Sequence, residues 1–229
     1  MPNYGRTALD IGARDGHFSV LLAGRFDKVV ALDLSRPRIS HPKVVCVEGN
    51  AAALQFPDNS FDLVLCAEVL EHIPPNILEK VCSEMERVCN KNLLIGVPYR
   101  QDIRVWRTTC YSCMKKNPPW SHVNSFDEKR LDFLFPNCKV SQTTFVGTHR
   151  DRTNAVSAAL MDLAGNPYGT YSQEEPCIHC DQPLKPPPER DFSQKFLTRL
   201  AFWSRRATEV FEKPTANWIH RLLTKRAAV

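Results

Sequence analysis

Short apolar runs alternate with longer amphipathic ones along the first 146 residues. "TALDIG" is an apolar run that stops at glycine, and "HFSVLLAGRF" carries its apolar positions at helical spacing. "KVVALDLS" and "KVVCVEGN" read as a second and a third strand. "FDLVLCAEVLEHI" reads as a fourth strand running into a turn, and "NLLIGVP" as a fifth. Between these two, "NILEKVCSEMERVC" sets Ile77, Leu78, Val81, Met85 and Val88 on one helical face. Near-continuous Val/Leu/Ile runs separated by helices predict a parallel sheet buried on both faces. Its crossovers are expected to be right-handed, with a ligand at the carboxyl ends of the strands.

Beyond the fifth strand, "SFDEKRLDFLF" predicts a helix capped by Ser125, with Glu128 reaching back in a capping box. "KVSQTTFVG" predicts a β-branched strand, "AVSAALMDLAG" a helix, and "EEPCIHCDQPLKPPPERD" a loop and linker. Further on, Phe192, Phe196, Leu200, Trp203, Ala207 and Val210 recur at steps of three and four, with Lys195, Arg199, Arg205 and Arg206 on other faces. That is an amphipathic helix. Three readings fit it: packing on the domain, lying on an anionic membrane surface, or forming a dimer contact.

A chain of 229 residues with 43% hydrophobic content can fill one α/β core and carry an appendage. No run of about 18 apolar residues occurs, so no membrane-spanning helix is expected. The first residues, MPNYGRT, lack the apolar core of an export signal. Nine cysteines without such a signal read as reduced thiols or metal ligands, which places the chain in the cytoplasm. The net charge of +5 is uneven: Asp181 to Val229 holds ten Lys/Arg against five Asp/Glu, so the first 180 residues are neutral. Diffuse nucleic-acid binding by the body gains no support from this.

Chemistry gathers at the ends of the predicted strands. The first turn runs from Asp10 through Gly12 and Ala13 to Gly16, and a dinucleotide-binding turn would have glycine where Arg14 stands. Asp33, followed by Leu34, ends the second strand where a carboxylate can accept from both ribose hydroxyls. Asn50 and Ala51 follow the third strand, where a side-chain carbonyl and a backbone N–H can meet an adenine edge. Ala67 and Glu68 end the fourth. A ligand with adenine and ribose but no phosphate asks only for close backbone approach at its amino-acid end, so a middle glycine is dispensable. S-adenosylmethionine is such a ligand, and these residues form its expected binding set.

In order and spacing, "LDIGARDG", "VVALDLS", "EGNAAALQFPDNSFDLVLCAEVLEHI" and "LLIGVP" resemble the successive motifs of the class I S-adenosylmethionine-dependent methyltransferases. The resemblance covers roughly residues 7 to 146. It implies a Rossmann-like α/β fold with a doubly wound, mostly parallel seven-stranded sheet and an antiparallel last strand. Three departures stand out. Arg14 and Asp15 replace small residues of the loop, Asn50 stands where the family commonly has an acid, and six residues precede the first strand where the family has a covering helix.

Methyl transfer from a sulfonium is an in-line displacement, and holding the acceptor in near-attack geometry supplies much of the acceleration. A general base is needed only where the acceptor must lose a proton. His122, in "WSHVNSF", and His72 are the candidate catalytic residues, with Glu68 and Tyr99 at the same edge. A loop-anchoring hydrogen bond is the competing role for His122.

Cys110 and Cys113 in "CYSC", and Cys177 and Cys180 in "CIHC", have the spacing of two zinc knuckles, although 63 residues separate the pairs. Cys46, Cys66, Cys82, Cys89 and Cys138 read as small buried hydrophobes. If "TANWIHRLL" completes an antiparallel hairpin with "KVSQTTFVG", residues 147 to 213 are an insertion and the knuckles can meet; if the last strand falls before Cys177, they cannot.

The expected divisions are a cofactor-binding core over 1–146, an insertion with the second knuckle over 147–190, and a basic amphipathic C-terminal region over 191–229. The expected function is methylation of a small-molecule or saccharide-like acceptor, with zinc as a structural ion. No "NPPY"-type tetrapeptide follows the fourth strand, which argues against base methylation of nucleic acids. The alternative is a non-catalytic, methyltransferase-like scaffold that binds a partner through its zinc knuckle and basic tail.

Overall fold

The computed structural model describes residues 5–226; the initial MPNY, part of the stretch read for an export signal, lies outside it. The chain divides into two compact units. Among the described residues, the first comprises 5–99, 126–146 and 218–226, and the second 100–125 and 147–217. This differs from the expected division at residues 146 and 190, because compactness follows strand pairing and not chain order.

The first unit begins with β1 (Gly5–Ile11), α1 (His17–Ala23), β2 (Phe26–Asp33) and β3 (Val44–Glu48). It continues through β4 (Phe61–Ala67), α2 (Pro75–Val88) and β5 (Cys89–Pro98). After an excursion into the second unit come α3 (Glu128–Leu134) and β8 (Cys138–Val146), and after another, β9 (Trp218–Lys225). The sheet order is β3-β2-β1-β4-β5-β9-β8. β1 to β5 pair in parallel, while β9 runs antiparallel to both β5 and β8. The strand expected in "TANWIHRLL" therefore forms, and it lies inside the sheet.

Alternate residues sort onto two faces. Ala8, Leu63 and Leu65 cluster with Leu22 and Ala23 of α1. Residues of the other parity, Val64, Cys66, Leu93, Ile95 and Val97, are fully buried on the face that α2 covers. Pro at the start of α2 suits a position whose N–H has no intrahelical partner. β9 places two of the tail's cations in the first unit. Arg221 is buried against Asp132, Thr143 Oγ1 and the Glu128 carbonyl, and Lys225 Nζ donates to the Glu86 and Cys89 carbonyls.

One expected cap moves. α3 is capped by Asp127, not Ser125: the Asp127 carboxylate accepts the Arg130 N–H at 2.9 Å. The chain is still extended at Phe126, which bridges to Tyr99, so the helix begins only after it.

The second unit contains the short hairpin β6 (Thr108–Thr109) and β7 (Lys116–Asn117), with helices α4 (Ala155–Leu163) and α5 (Phe192–Glu209). α4 and α5 pack together. Small buried residues, Ser157 and Ala158 on α4 with Thr198 and Ala201 on α5, allow that approach. Asn154 ties the pair: its carbonyl caps α4 at Ser157 N, and its amide donates to the Ser204 carbonyl. Of the three readings open for the apolar stripe of α5, packing on the domain does not hold for its aromatic positions. Phe192, Phe196 and Trp203 are exposed.

Candidate functional site

The strand order reverses between β1 and β4, where a doubly wound sheet opens a crevice at its carboxyl end. The turn after β1 fills one side of it. Gly12 and Gly16 have φ of 75° and 84°, in the left-handed region that favours glycine. A Cβ at Gly12 would lie 2.2 Å from Val69, and one at Gly16 2.4 Å from Ile39. Arg14 also sits at positive φ, 45°, so a left-handed residue is needed there even without glycine. Gly12 and Ala13 N–H both donate to the Leu32 carbonyl, which ties the turn to β2.

Asp33, at the end of β2, is the hub. Its two carboxylate oxygens accept the Arg14 N–H at 2.9 Å and the Leu34 N–H at 2.7 Å. Each oxygen has a further acceptor position, so the carboxylate is oriented and still able to take two hydroxyl donors. Asp10 is buried and accepts from Ser19 Oγ at 2.6 Å. Burial pushes its carboxyl up to about 6 against that hydrogen bond, and the Asp33 charge adds to the rise. Asp10 thus fastens α1 to β1. The Asn50 carbonyl, read as facing a base, is held in its own turn by the Ala52 N–H at 2.8 Å. Ala51 beside it is buried.

At the end of β4, Ala67 leads into Glu68, whose φ is 57° and whose N–H donates to the Gly96 carbonyl. The Glu68 carboxylate accepts from Trp218 Nε1 at 3.0 Å. Glu71 escaped the sequence reading, although it interrupts an apolar run in "VLEHI". It is fully buried, and burial, then the neighbouring Glu68 charge, push its carboxyl up to about 8. Burial thus favours its protonated, neutral form. His72 is half-buried in the same turn. Tyr99 is buried, donating to the Glu128 carboxylate at 2.9 Å with its ring against Phe145, which marks it as a packing residue.

In the second unit, His122 is buried, with Nδ1 2.7 Å from Gln101 Oε1. This contact matches the anchoring role weighed for it. Gln101 carried no sequence signal.

The same unit brings the four knuckle cysteines together. The sulfurs of Cys110 and Cys180 are 3.6 Å apart and those of Cys113 and Cys177 3.7 Å, all four lying within 4.8 Å of one another. A tetrahedral zinc with Zn–S bonds of ~2.3 Å has S···S edges of ~3.8 Å, so the donor set fits that ion. The two knuckles repeat one turn. Cys110 N–H donates to the Lys115 carbonyl and Met114 N–H to Cys110; Cys177 N–H donates to Gln182 and Asp181 N–H to Cys177. Met114 and Asp181, each following a second cysteine, both have φ of 57°. Ile178 N–H donates to Asn117 Oδ1, bracing one knuckle against β7. Burial raises the Cys110 thiol, but the Cys113 and Ser112 N–H groups and the thiols of Cys180 and Cys177 outweigh it and bring it down to about 6. The Cys177 thiol is lowered as well, whereas hydrogen bonds with its three neighbouring thiols help push the Cys180 thiol up to about 12, so Cys110 and Cys177 are the sulfurs that ionise most readily.

The Methyltransferase domain family matches residues 9–94. Demethylmenaquinone methyltransferase of Bacillus licheniformis is 33% identical over 95 residues, which are 37% of this chain and 40% of that protein. A solved chain from Bacillus halodurans assigned as a methyltransferase superposes with a TM-score of 0.62 at 16% identity, covering 99% of this chain and 95% of that one. The 1,6-didemethyltoxoflavin N1-methyltransferase of Burkholderia thailandensis, solved with its acceptor and S-adenosylhomocysteine, gives 0.52 at 12% identity, covering 97% and 72%. The chain spans about two fifths of the curated relative, and the structural likenesses establish the fold. The family match falls on the segment that builds the turn, the Asp33 hub and the end of β4, so residues 9–94 are similar to the Methyltransferase domain family, and the chain as a whole shares the fold of these solved methyltransferase chains.

Proposed function

We propose that the protein transfers the methyl group of S-adenosylmethionine to a small-molecule or saccharide-like acceptor. The observation that carries this reading is the Asp33 carboxylate, fixed by two backbone N–H groups at the switch point and left with acceptor positions for a ribose diol. S-adenosylmethionine, when bound, supplies an electrophilic methyl group on a sulfonium. Asp33 would hold the ribose, the Gly12–Ala13 turn would approach the amino-acid end, Leu34 and Ala51 would flank the adenine, and Ala67 and Glu68 would close the far side. His122 is the residue to test as a base if the acceptor is a hydroxyl; its contact with Gln101 sets which ring nitrogen carries the proton. A small-molecule acceptor is supported by the name of the curated relative, which is a demethylmenaquinone enzyme.

Zinc is proposed for the Cys110, Cys113, Cys177 and Cys180 cluster as a structural ion, supported by the tetrahedral S···S edges. The cluster also favours a second reading, a zinc-bearing scaffold without catalysis. Calorimetric titration with S-adenosylmethionine, followed by labelled-methyl transfer into fractionated extract, separates the two. Cofactor binding with labelled product supports the enzyme. Absence of cofactor binding removes it in favour of the scaffold.

A further inference from the structure

The apolar stripe of α5 points away from the helix on which α5 packs. At 100° per residue, buried Ala201 and Thr198 mark the face toward α4. Phe192, Phe196, Trp203 and Val210 fall within about 40° of one another on the opposite side, and they are 86%, 54%, 65% and 83% exposed. Phe211, immediately beyond, is 86% exposed. Scattered apolar residues on a surface are ordinary, but a contiguous stripe of this kind marks a docking face.

The charges around the stripe say what it docks on. Lys195, Arg199 and Arg206 are all exposed and lie along one flank of it. The acidic residue of α5, Glu209, lies outside that flank. At the start of the helix, a groove of about 600 Å³ is lined by Arg190, Lys195 and Arg199 together with Phe192, Phe196 and Trp203. The Arg190 guanidinium is held in place, 4.9 Å above the Tyr168 ring and donating to Tyr168 Oη at 2.8 Å. Three cations beside an aromatic stripe match an anionic headgroup beside acyl chains. A second copy of the chain matches less well: an antiparallel two-fold pairing of this face brings the basic flank against its own copy, and like charges in register oppose association.

We propose that α5 is an interfacial helix that docks on a bilayer containing anionic phospholipid, its aromatic stripe in the headgroup–acyl boundary and its Arg190–Lys195–Arg199 groove on a headgroup phosphate. The full chain should sediment with vesicles of phosphatidylcholine containing phosphatidylglycerol and remain in the supernatant with phosphatidylcholine alone. Each cation removed from the flank should weaken partitioning roughly fivefold, so alanine at Lys195, Arg199 and Arg206 together should weaken it about 100-fold. Trp203→Glu should weaken it at least about tenfold by removing apolar contact. All four positions are exposed, so circular dichroism and Tm should match wild type. The emission of the wild type should shift to the blue on vesicles, and Trp203→Phe should lose that shift. Equal binding to both vesicle types, or binding unchanged in Trp203→Glu, overturns the proposal. Release by soluble glycerol phosphate, at an ionic strength where chloride releases nothing, would make the groove a small-phosphate site and also overturn it. A concentration-dependent dimer abolished by Trp203→Glu, with no vesicle binding, would assign the face to a second copy.

Discussion

Replacing Cys177 by Ser tests whether two motifs 63 residues apart share one ion. Structural zinc sites of zinc-finger peptides bind with ~10–16 kcal/mol near neutral pH. Shared over four sulfurs, each thiolate accounts for ~2.5–4 kcal/mol, or ~10²–10³ in affinity. In this chain the sulfurs already stand 3.6 and 3.7 Å apart across the knuckles, so little reorganisation offsets that figure. The cross-knuckle pairing, Cys110 with Cys180 and Cys113 with Cys177, also makes the two motifs equivalent. Cys177→Ser and Cys110→Ser should therefore weaken zinc by the same order, ~10²–10³. Cys66→Ser, buried in β4, should leave it unchanged. The assay is metal content of purified protein by elemental analysis, then competition against a zinc-binding dye at fixed pH. About one zinc per wild-type chain is expected for a single tetrahedral site. Metal-free wild type, or zinc held by Cys177→Ser as tightly as by wild type, would refute the shared site. Cofactor affinity should change little in either variant, because Asp33 and the glycine turn belong to the other unit.

Asp33→Ala removes two backbone caps as well as the proposed ribose acceptor, so S-adenosylmethionine affinity should fall by ~2–4 kcal/mol; unchanged affinity by calorimetry would remove Asp33 from the site. Glu71 gives a pH prediction. Its folded value of about 8 lies above the ordinary 4.5, so the native state binds the extra proton between these values and stability falls as pH rises through that window. The shift caps the effect at roughly 5 kcal/mol. Glu71→Gln should flatten Tm between pH 5 and pH 8, and an unaltered slope would show that another group titrates. Met114→Gly should relieve the left-handed strain of the first knuckle and raise stability by ~1 kcal/mol, since Met114 is 69% exposed and loses little packing; a fall in Tm would show that its side chain does more than the geometry indicates.

The order of elements through residue 98 was legible because a parallel sheet buried on both faces demands continuous Val/Leu/Ile runs, and "KVVALDLS" or "FDLVLCA" cannot be read otherwise. Asp33 stood out only in company: a lone acid ending a strand is most often a solvated loop residue, and it was the succession of four strand ends that singled this one out. The spacing of "CYSC" and "CIHC" likewise announced two sulfur turns. Whether those turns meet was not decidable locally. It depends on β9 pairing with both β5 and β8, a contact between residues 138–146 and 218–225 that no short window contains. The same pairing moved Arg221 and Lys225 from a presumed basic tail into the sheet unit. Glu71 looked like one more polar residue until burial made it a neutral acid, and desolvation is a property of its surroundings alone. For α5 the periodicity was legible and its orientation was left open: hydrophobic spacing specifies a stripe, but the partner specifies which stripe packs. Here the small residues Thr198 and Ala201 won the contact with α4, since close helix approach rewards small side chains, and the aromatic stripe was left facing out.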